Sequence, residues 1–266
     1  MKLLGLNNPF GAPVYHEECV SSTFDAARVL AGKNEGHGTV IAADFQEAGR
    51  GRLRRSWAAE KAKNLLFTIL LRYGDFSSIP EALTLRTGFA VSLAVEDFAP
   101  VLTGRVWVKW PNDIMIYPAG VPRPPAYKAA GILTESGNEN VFIGVGVNVS
   151  QTEFPEEYRS RAGSIVQALP EAAALPADAR FILLEKILAR LYSEIGKPEA
   201  AASWRQRLSG RLYKKGETVT FAEGAADSQR LITGTLSGIG PGGELLIIPG
   251  SGHEERAFVN GELRVY

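Results

Sequence analysis

The densest group of residues able to do chemistry is Gln46-Glu-Ala-Gly-Arg-Gly-Arg-Leu-Arg-Arg-Ser-Trp57. Four arginines, Arg50, Arg52, Arg54 and Arg55, fall within six positions and repel one another, so the cluster calls for an anion or for open solvent. Guanidinium forks match phosphate and carboxylate oxygens in pairs. Gly49 and Gly51 let the backbone approach a ligand closely and let the loop change shape. The segment therefore reads as a cationic loop that closes over an anionic ligand, or as a solvated basic hairpin. Lys109-Trp-Pro-Asn-Asp113 joins a cation, an amide and a carboxylate across a proline-fixed bend. Asp113 is a candidate to hold Mg²⁺ or to orient an attacking amine, and Asn112 to meet phosphate or ribose oxygens; a plain Pro-Asn-Asp turn favours the same residues.

Two further segments are sparser. In Lys128-Ala-Ala-Gly-Ile-Leu133 a lysine leads into an apolar strand, where its charge needs an anion unless the side chain snorkels to water. In Gly144-Val-Gly-Val-Asn148 alternate glycines empty one face of a strand, with Asn148 at its end. That pattern suits tight sheet packing as well as a ligand, and it is no dinucleotide fingerprint because no helix opens after it.

The elements that must position these segments are legible from periodicity. Ser21-Ser-Thr23 caps a first helix with Ala26, Ala27, Val29 and Leu30 on one stripe. The runs 39–45 and 65–71 read as buried strands, and 80–99 as a long helix with Pro80 in its first turn. Strands follow at 105–109, 114–117, 129–135 and 141–149, with an extended proline-rich loop over 118–125. A helix returns over 178–195 with Asp178 as N-cap. Beyond residue 210, short strand candidates at 218–221, 231–236, 245–248 and 262–266 alternate with glycine-rich turns, which points to a small β-barrel or sandwich. The class is α+β with a small all-β appendage, divided as 1–209 and 210–266.

Composition narrows the function. The chain has 266 residues, with 29 Lys+Arg against 29 Asp+Glu, which argues against a nucleic-acid coat or a membrane-surface role. One cysteine and three scattered histidines leave no disulfide framework or Cys/His zinc cluster and fit a reducing, cytoplasmic compartment. No apolar run spans a bilayer, and the first residues show no signal-peptide pattern.

Taken in order, Ser22-Thr23, Gln46 with Gly49-Arg-Gly-Arg52 and Trp57, Lys109-Trp-Pro-Asn-Asp113, Lys128-Ala-Ala-Gly-Ile-Leu133, Gly144-Val-Gly-Val-Asn148 and the closing Gly261-Glu-Leu-Arg264 resemble the biotin protein ligase family. The resemblance implies a mixed β-sheet flanked by helices, followed by a C-terminal SH3-like β-barrel. It implies a ligase that makes biotinyl-5′-AMP from biotin and MgATP and transfers biotin to a lysine of a biotin carboxyl carrier domain. Lipoate or octanoate ligation, or a non-catalytic paralogue, are the alternatives. Carried over by position, Arg52, Lys128 and Lys109 are the catalytic candidates. Ser22, Thr23, Phe24, Gln46, Gly49, Arg50, Gly51, Arg52, Trp57, Lys128, Gly131, Gly144 and Gly146 are the biotin candidates. Of these, Gly131, Gly144 and Gly146 would leave room for the biotin rings. Arg52, Arg55, Asn112, Asp113 and Asn148 are the ATP candidates, and Asp113 the Mg²⁺ candidate. Phe24 stands where the family usually has Asn, and Arg54 where its loop has a third glycine, which should stiffen the loop. Twenty residues ahead of Ser21 are too few for a winged helix-turn-helix, so the implied form lacks the DNA-binding domain of some relatives. No nucleic-acid or membrane partner is expected, and the oligomer is a monomer or a homodimer.

Overall fold

Alternation of side chains along β-strands explains how one sheet serves two faces here. The computed structural model describes residues 1–120, 124–137, 139–171, 173–197, 203–224, 230–250, 252 and 254–264. Eight strands form one mixed sheet: β1 (Lys2–Leu4), β2 (Val14–Glu17), β3 (Thr39–Ala43), β4 (Leu65–Arg72), β5 (Val106–Lys109), β6 (Asp113–Ile116), β7 (Tyr127–Gly137) and β8 (Asn140–Val147), in the order β1-β2-β3-β4-β8-β7-β6-β5. β2 and β3 run parallel and the other neighbours antiparallel.

On β3, Val40 and Ala42 join the main core beneath α2 (Leu83–Phe98) and α5 (Ala179–Ile195), while Ile41 joins a second, smaller core beneath α1 (Thr23–Gly32). On β8, Ile143 and Val145 serve the first face and Phe142 the second. The sheet therefore carries two helices on one side and α1 with the site on the other. Three short helices, α3 (Glu156–Arg159), α4 (Ile165–Ala168) and α6 (Trp204–Ser209), lie among the described residues.

The C-terminal part is a five-stranded antiparallel sheet of β9 (Thr218–Glu223), β10 (Arg230–Ile239), β11 (Leu245–Pro249), β12 (Arg256–Phe258) and β13 (Glu262–Arg264), in the order β12-β11-β10-β9-β13. It is joined to the large sheet: Val108 of β5 donates to the Arg211 carbonyl (2.9 Å) and Tyr213 donates back to Val108 (2.9 Å). No helix among the described residues is long and apolar enough to cross a membrane.

Several expected bounds shift. β1, β2 and β12 do not stand out in the sequence, because they are short strands and β1 and β12 are edges. The long helix begins at Leu83 rather than Pro80, since Ala82, at φ +50°, is left-handed and breaks the helical path before it. The last strand is described only to Arg264, and residues 121–123 of the proline-rich loop lie outside the described residues.

Candidate active site

Ser22 lies at the start of α1, fully buried, and its hydroxyl accepts from Phe24 N (3.3 Å) as the helix N-cap. Ser22 is not among the side chains that line the cleft. Thr23 faces the cleft instead. Gln46 Oε1 accepts from both Thr23 N (2.8 Å) and Thr23 Oγ1 (3.0 Å), and Thr68 Oγ1 donates to Thr23 Oγ1 (2.8 Å). This network leaves the Gln46 amide NH₂ as the group not engaged by Thr23.

The glycines on the α1 face of the sheet each make way for an aromatic ring. A Cβ on Gly144 would lie 2.3 Å from the Phe24 ring; one on Gly146 would lie 2.6 Å from Trp57 Cε2, and one on Gly131 2.9 Å from Trp57 Cζ3. The space read as room for a ligand's rings is thus occupied by Phe24 and Trp57. Trp57 comes from the arginine loop, and its indole Nε1 is buried without an acceptor among the described residues.

The loop is a hairpin tied at three points. Arg50 and Ser56 form an antiparallel bridge, and Trp57 N donates to Gly49 O (2.9 Å), which leaves Gly49 outside the cleft wall as a backbone joint. Arg50 bonds Asp25 on α1 and stacks over Phe24 at 6.0 Å. Arg55 forks onto Glu262 of β13 (2.8 and 3.0 Å), so a residue expected at the nucleotide is paired with the C-terminal sheet. This pairing holds the Glu262 carboxyl at about 2. The loop's left-handed residue is Leu53 (φ +55°); Arg54, which stands in place of the third glycine, sits in the same 3₁₀ turn.

At the cationic end, Lys128 Nζ lies 2.6 Å from Asp113 Oδ1 as an ion pair, and Asp113 Oδ2 lies 3.8 Å from Lys109 Nζ. Lys109 is 1% exposed, and burial pulls its ammonium down to about 8 against the support of Asp113. Arg52 donates to Asn112 Oδ1 (3.4 Å), and burial lowers its proton affinity too. Asn112 Nδ2 donates to Ile132 O (2.8 Å) and Asn148 Nδ2 to Gly163 O (3.0 Å), while Asn148 Oδ1 is buried without a donor among the described residues. The Asp113 carboxylate, the Mg²⁺ candidate, lies against Lys128 and Lys109. No group of three His, Cys, Asp or Glu side chains gathers among the described residues.

A cleft lined by hydrogen-bonding groups of Thr23 and Gln46, by aromatic rings and by the cations Arg52, Lys109 and Lys128 is what the fold builds. Residues 18–148 match the family model described as "Biotin/lipoate A/B protein ligase family". The chain is 36% identical over 165 residues to "Bifunctional ligase/repressor BirA" of Bacillus subtilis, covering 59% of this chain and 47% of that protein. It is 33% identical over 178 residues to "Biotin--[acetyl-CoA-carboxylase] ligase" of Mycobacterium tuberculosis, covering 64% and 60%. Biotin protein ligase from Aquifex aeolicus in complex with biotin and ATP superposes at a TM-score of 0.73 with 26% identity, over 94% of this chain and 97% of that one. A point mutant of the same Aquifex protein in complex with biotin gives 0.75 with 27% identity, over 95% and 98%. The chain belongs to the biotin protein ligase family. It spans about half the length of the Bacillus relative.

The family motifs account for much of the cleft but not all of it. Phe154, Pro155, Tyr158, Arg161 and Ala162 form a wall that sequence reasoning missed, together with Ser56 and Glu262. A weak signal is present: Phe154-Pro-Glu-Glu-Tyr158 puts aromatics and a proline in a segment just after Asn148.

Proposed function

We propose that the protein activates biotin with ATP as biotinyl-5′-AMP and transfers it to a lysine of a biotin carboxyl carrier domain. The observation that carries this reading is the polarity of the cleft. Thr23, backed by Thr68, and Gln46 offer hydrogen-bonding groups suited to a cyclic urea, while Arg52, Lys109 and Lys128 line the cleft beside Asp113. The aromatic rings between them suit an aliphatic chain and a thioether ring.

In the first step a biotin carboxylate oxygen attacks the α-phosphorus, the bond to the bridging oxygen of the pyrophosphate breaks, and pyrophosphate leaves. Two anions must approach each other, and Lys128 and Arg52 neutralise charge where it develops. Asp113 fixes Lys128 in place through its 2.6 Å ion pair. The unpartnered Asn148 Oδ1 accepts from a nucleotide donor such as an exocyclic amine. Mg²⁺ would enter with ATP and screen the phosphate charge, with Asp113 the side chain that would hold it. In the second step the neutral amine of the carrier lysine attacks the acyl carbon, AMP leaves, and the amide nitrogen loses a proton. Closure of the Arg50–Trp57 loop keeps water from the mixed anhydride between the steps. We place this chemistry in the cytoplasm, and take residues 1–209 as the catalytic domain and 210–266 as a second, smaller one.

The test is ATP–pyrophosphate exchange with purified protein and biotin, lipoate, octanoate or no acid. Exchange that requires biotin supports the reading. Exchange with lipoate or octanoate moves the protein to the sister activity, and silence with every acid sinks catalysis altogether.

A further inference from the structure

We infer that Arg161, which lies outside every motif of the sequence, binds the polyphosphate chain of the nucleotide. The inference rests on the ligase reading for the identity of the anion; its geometry stands independently. Residues 161–163 run beside the start of β7 as a strand-like extension: Lys128 N donates to Arg161 O (2.8 Å), Gly163 N donates to Lys128 O (3.0 Å), and Lys128 and Ala162 form a parallel bridge. That register ties Arg161 to the backbone of the lysine that pairs with Asp113, and the Arg161 side chain lines the same cleft. Its guanidinium carbon sits 5.3 Å from the centre of the Tyr158 ring, which orients the planar cation.

Charge explains why a cation here suits an anionic ligand. Arg161 acts on Lys109, adding to the burial and the Lys128 charge that destabilise the Lys109 ammonium. Arg52, Arg55, Lys109, Lys128 and Arg161 line the cleft with two carboxylates, Asp113 and Glu262, and both carboxylates act on Lys109. Cations crowded into a half-buried cleft repel one another, and a multiply charged anion relieves that repulsion. A polyphosphate carries several negative charges, and a guanidinium fork fits its oxygens in pairs.

The test compares wild type with Arg161→Met, which keeps an apolar stem over Tyr158 but removes the charge, and with Arg161→Lys. Arg159→Met is the control, because Arg159 is exposed and lies outside the cleft. Steady-state exchange gives KM for ATP and for biotin, and calorimetry gives the affinity for inorganic pyrophosphate without any acid. Arg161→Met is expected to raise KM for ATP and weaken pyrophosphate binding by tenfold or more, with KM for biotin within twofold and partial recovery in Arg161→Lys. It is also expected to move the alkaline limb of kcat/KM for ATP upward in pH, a change that a merely structural role would not cause. Arg159→Met should leave all of these alone. Unchanged ATP and pyrophosphate binding in Arg161→Met, or an equal loss in Arg159→Met, overturns the inference. Should the wild type show no biotin-dependent exchange, the ligase reading fails, while pyrophosphate calorimetry still decides the role of Arg161.

Discussion

Lys109 carries its charge at 1% exposure, which is tolerable because Asp113 stands 3.8 Å away. Burial nevertheless brings its pKa down to about 8, so raising the pH through that value removes a cation from the phosphate end. We therefore expect kcat/KM for ATP to fall as pH rises through about 8, and Lys109→Met to abolish that limb while lowering activity below it. A limb that survives in Lys109→Met would assign it elsewhere. Gly144 gives a second expectation at this scale. A methyl there would overlap the Phe24 ring, which is 3% exposed and held between α1 and the sheet. Gly144→Ala should cost about 1–3 kcal/mol of stability in urea unfolding. Gly146→Ala should cost less, because the ring it meets belongs to Trp57 on a loop that can shift. The glycine pattern is legible in the sequence, but its occupant is not: only the fold reveals that Phe24 and Trp57 fill the notches. Ser22 is ambiguous for a related reason, since a cap and a ligand contact demand the same residue type.

The arginine loop shows what elements add to residues. It is tied to α1 through Arg50 and Asp25, and to β13 through Arg55 and Glu262. The second tie joins positions 207 apart in sequence, which no local pattern reveals. Loss of either partner should let the loop open, so Arg55→Ala and Glu262→Gln should each shorten the half-life of bound biotinyl-AMP. The double variant should be no worse than the more damaging single one, since both remove the same contact. Additive losses in a dilution assay would mean that the two side chains act separately. The strands around the site are readable because they are buried runs rich in β-branched residues, as in Thr39–Ala43 and Leu65–Arg72. β1 and β2 are not, because short length, and for β1 its edge position, leave little hydrophobic pattern in Lys2–Leu4 and Val14–Glu17. Pro80 misleads for a local reason: the chain passes through left-handed Ala82 before the helix begins.

At the scale of the molecule, the composition shift near residue 210 suggests a separable appendage, yet one apolar core runs through both sheets. Leu212 pairs beside Val108 of β5, and Val219, Phe221, Leu236 and Leu263 belong to the same buried cluster as Val108 and Trp110. Trp110, the second residue of Lys109-Trp-Pro-Asn-Asp113, is the joint. Its ring meets Phe221 at 5.9 Å and its Nε1 donates to Gly243 O at 2.9 Å, so the site motif and the C-terminal sheet share one side chain. A shared core predicts shared unfolding. Denaturation followed by far-UV circular dichroism and by a fluorophore on the C-terminal sheet should therefore give one midpoint. Trp110→Phe keeps much of the ring packing but leaves the Gly243 carbonyl without its donor, which should lower stability by about 1–3 kcal/mol at both probes together. If the C-terminal probe alone moved to lower urea, the small sheet would be an independently folding unit, and the link between Trp110 and the site would be packing without cooperativity.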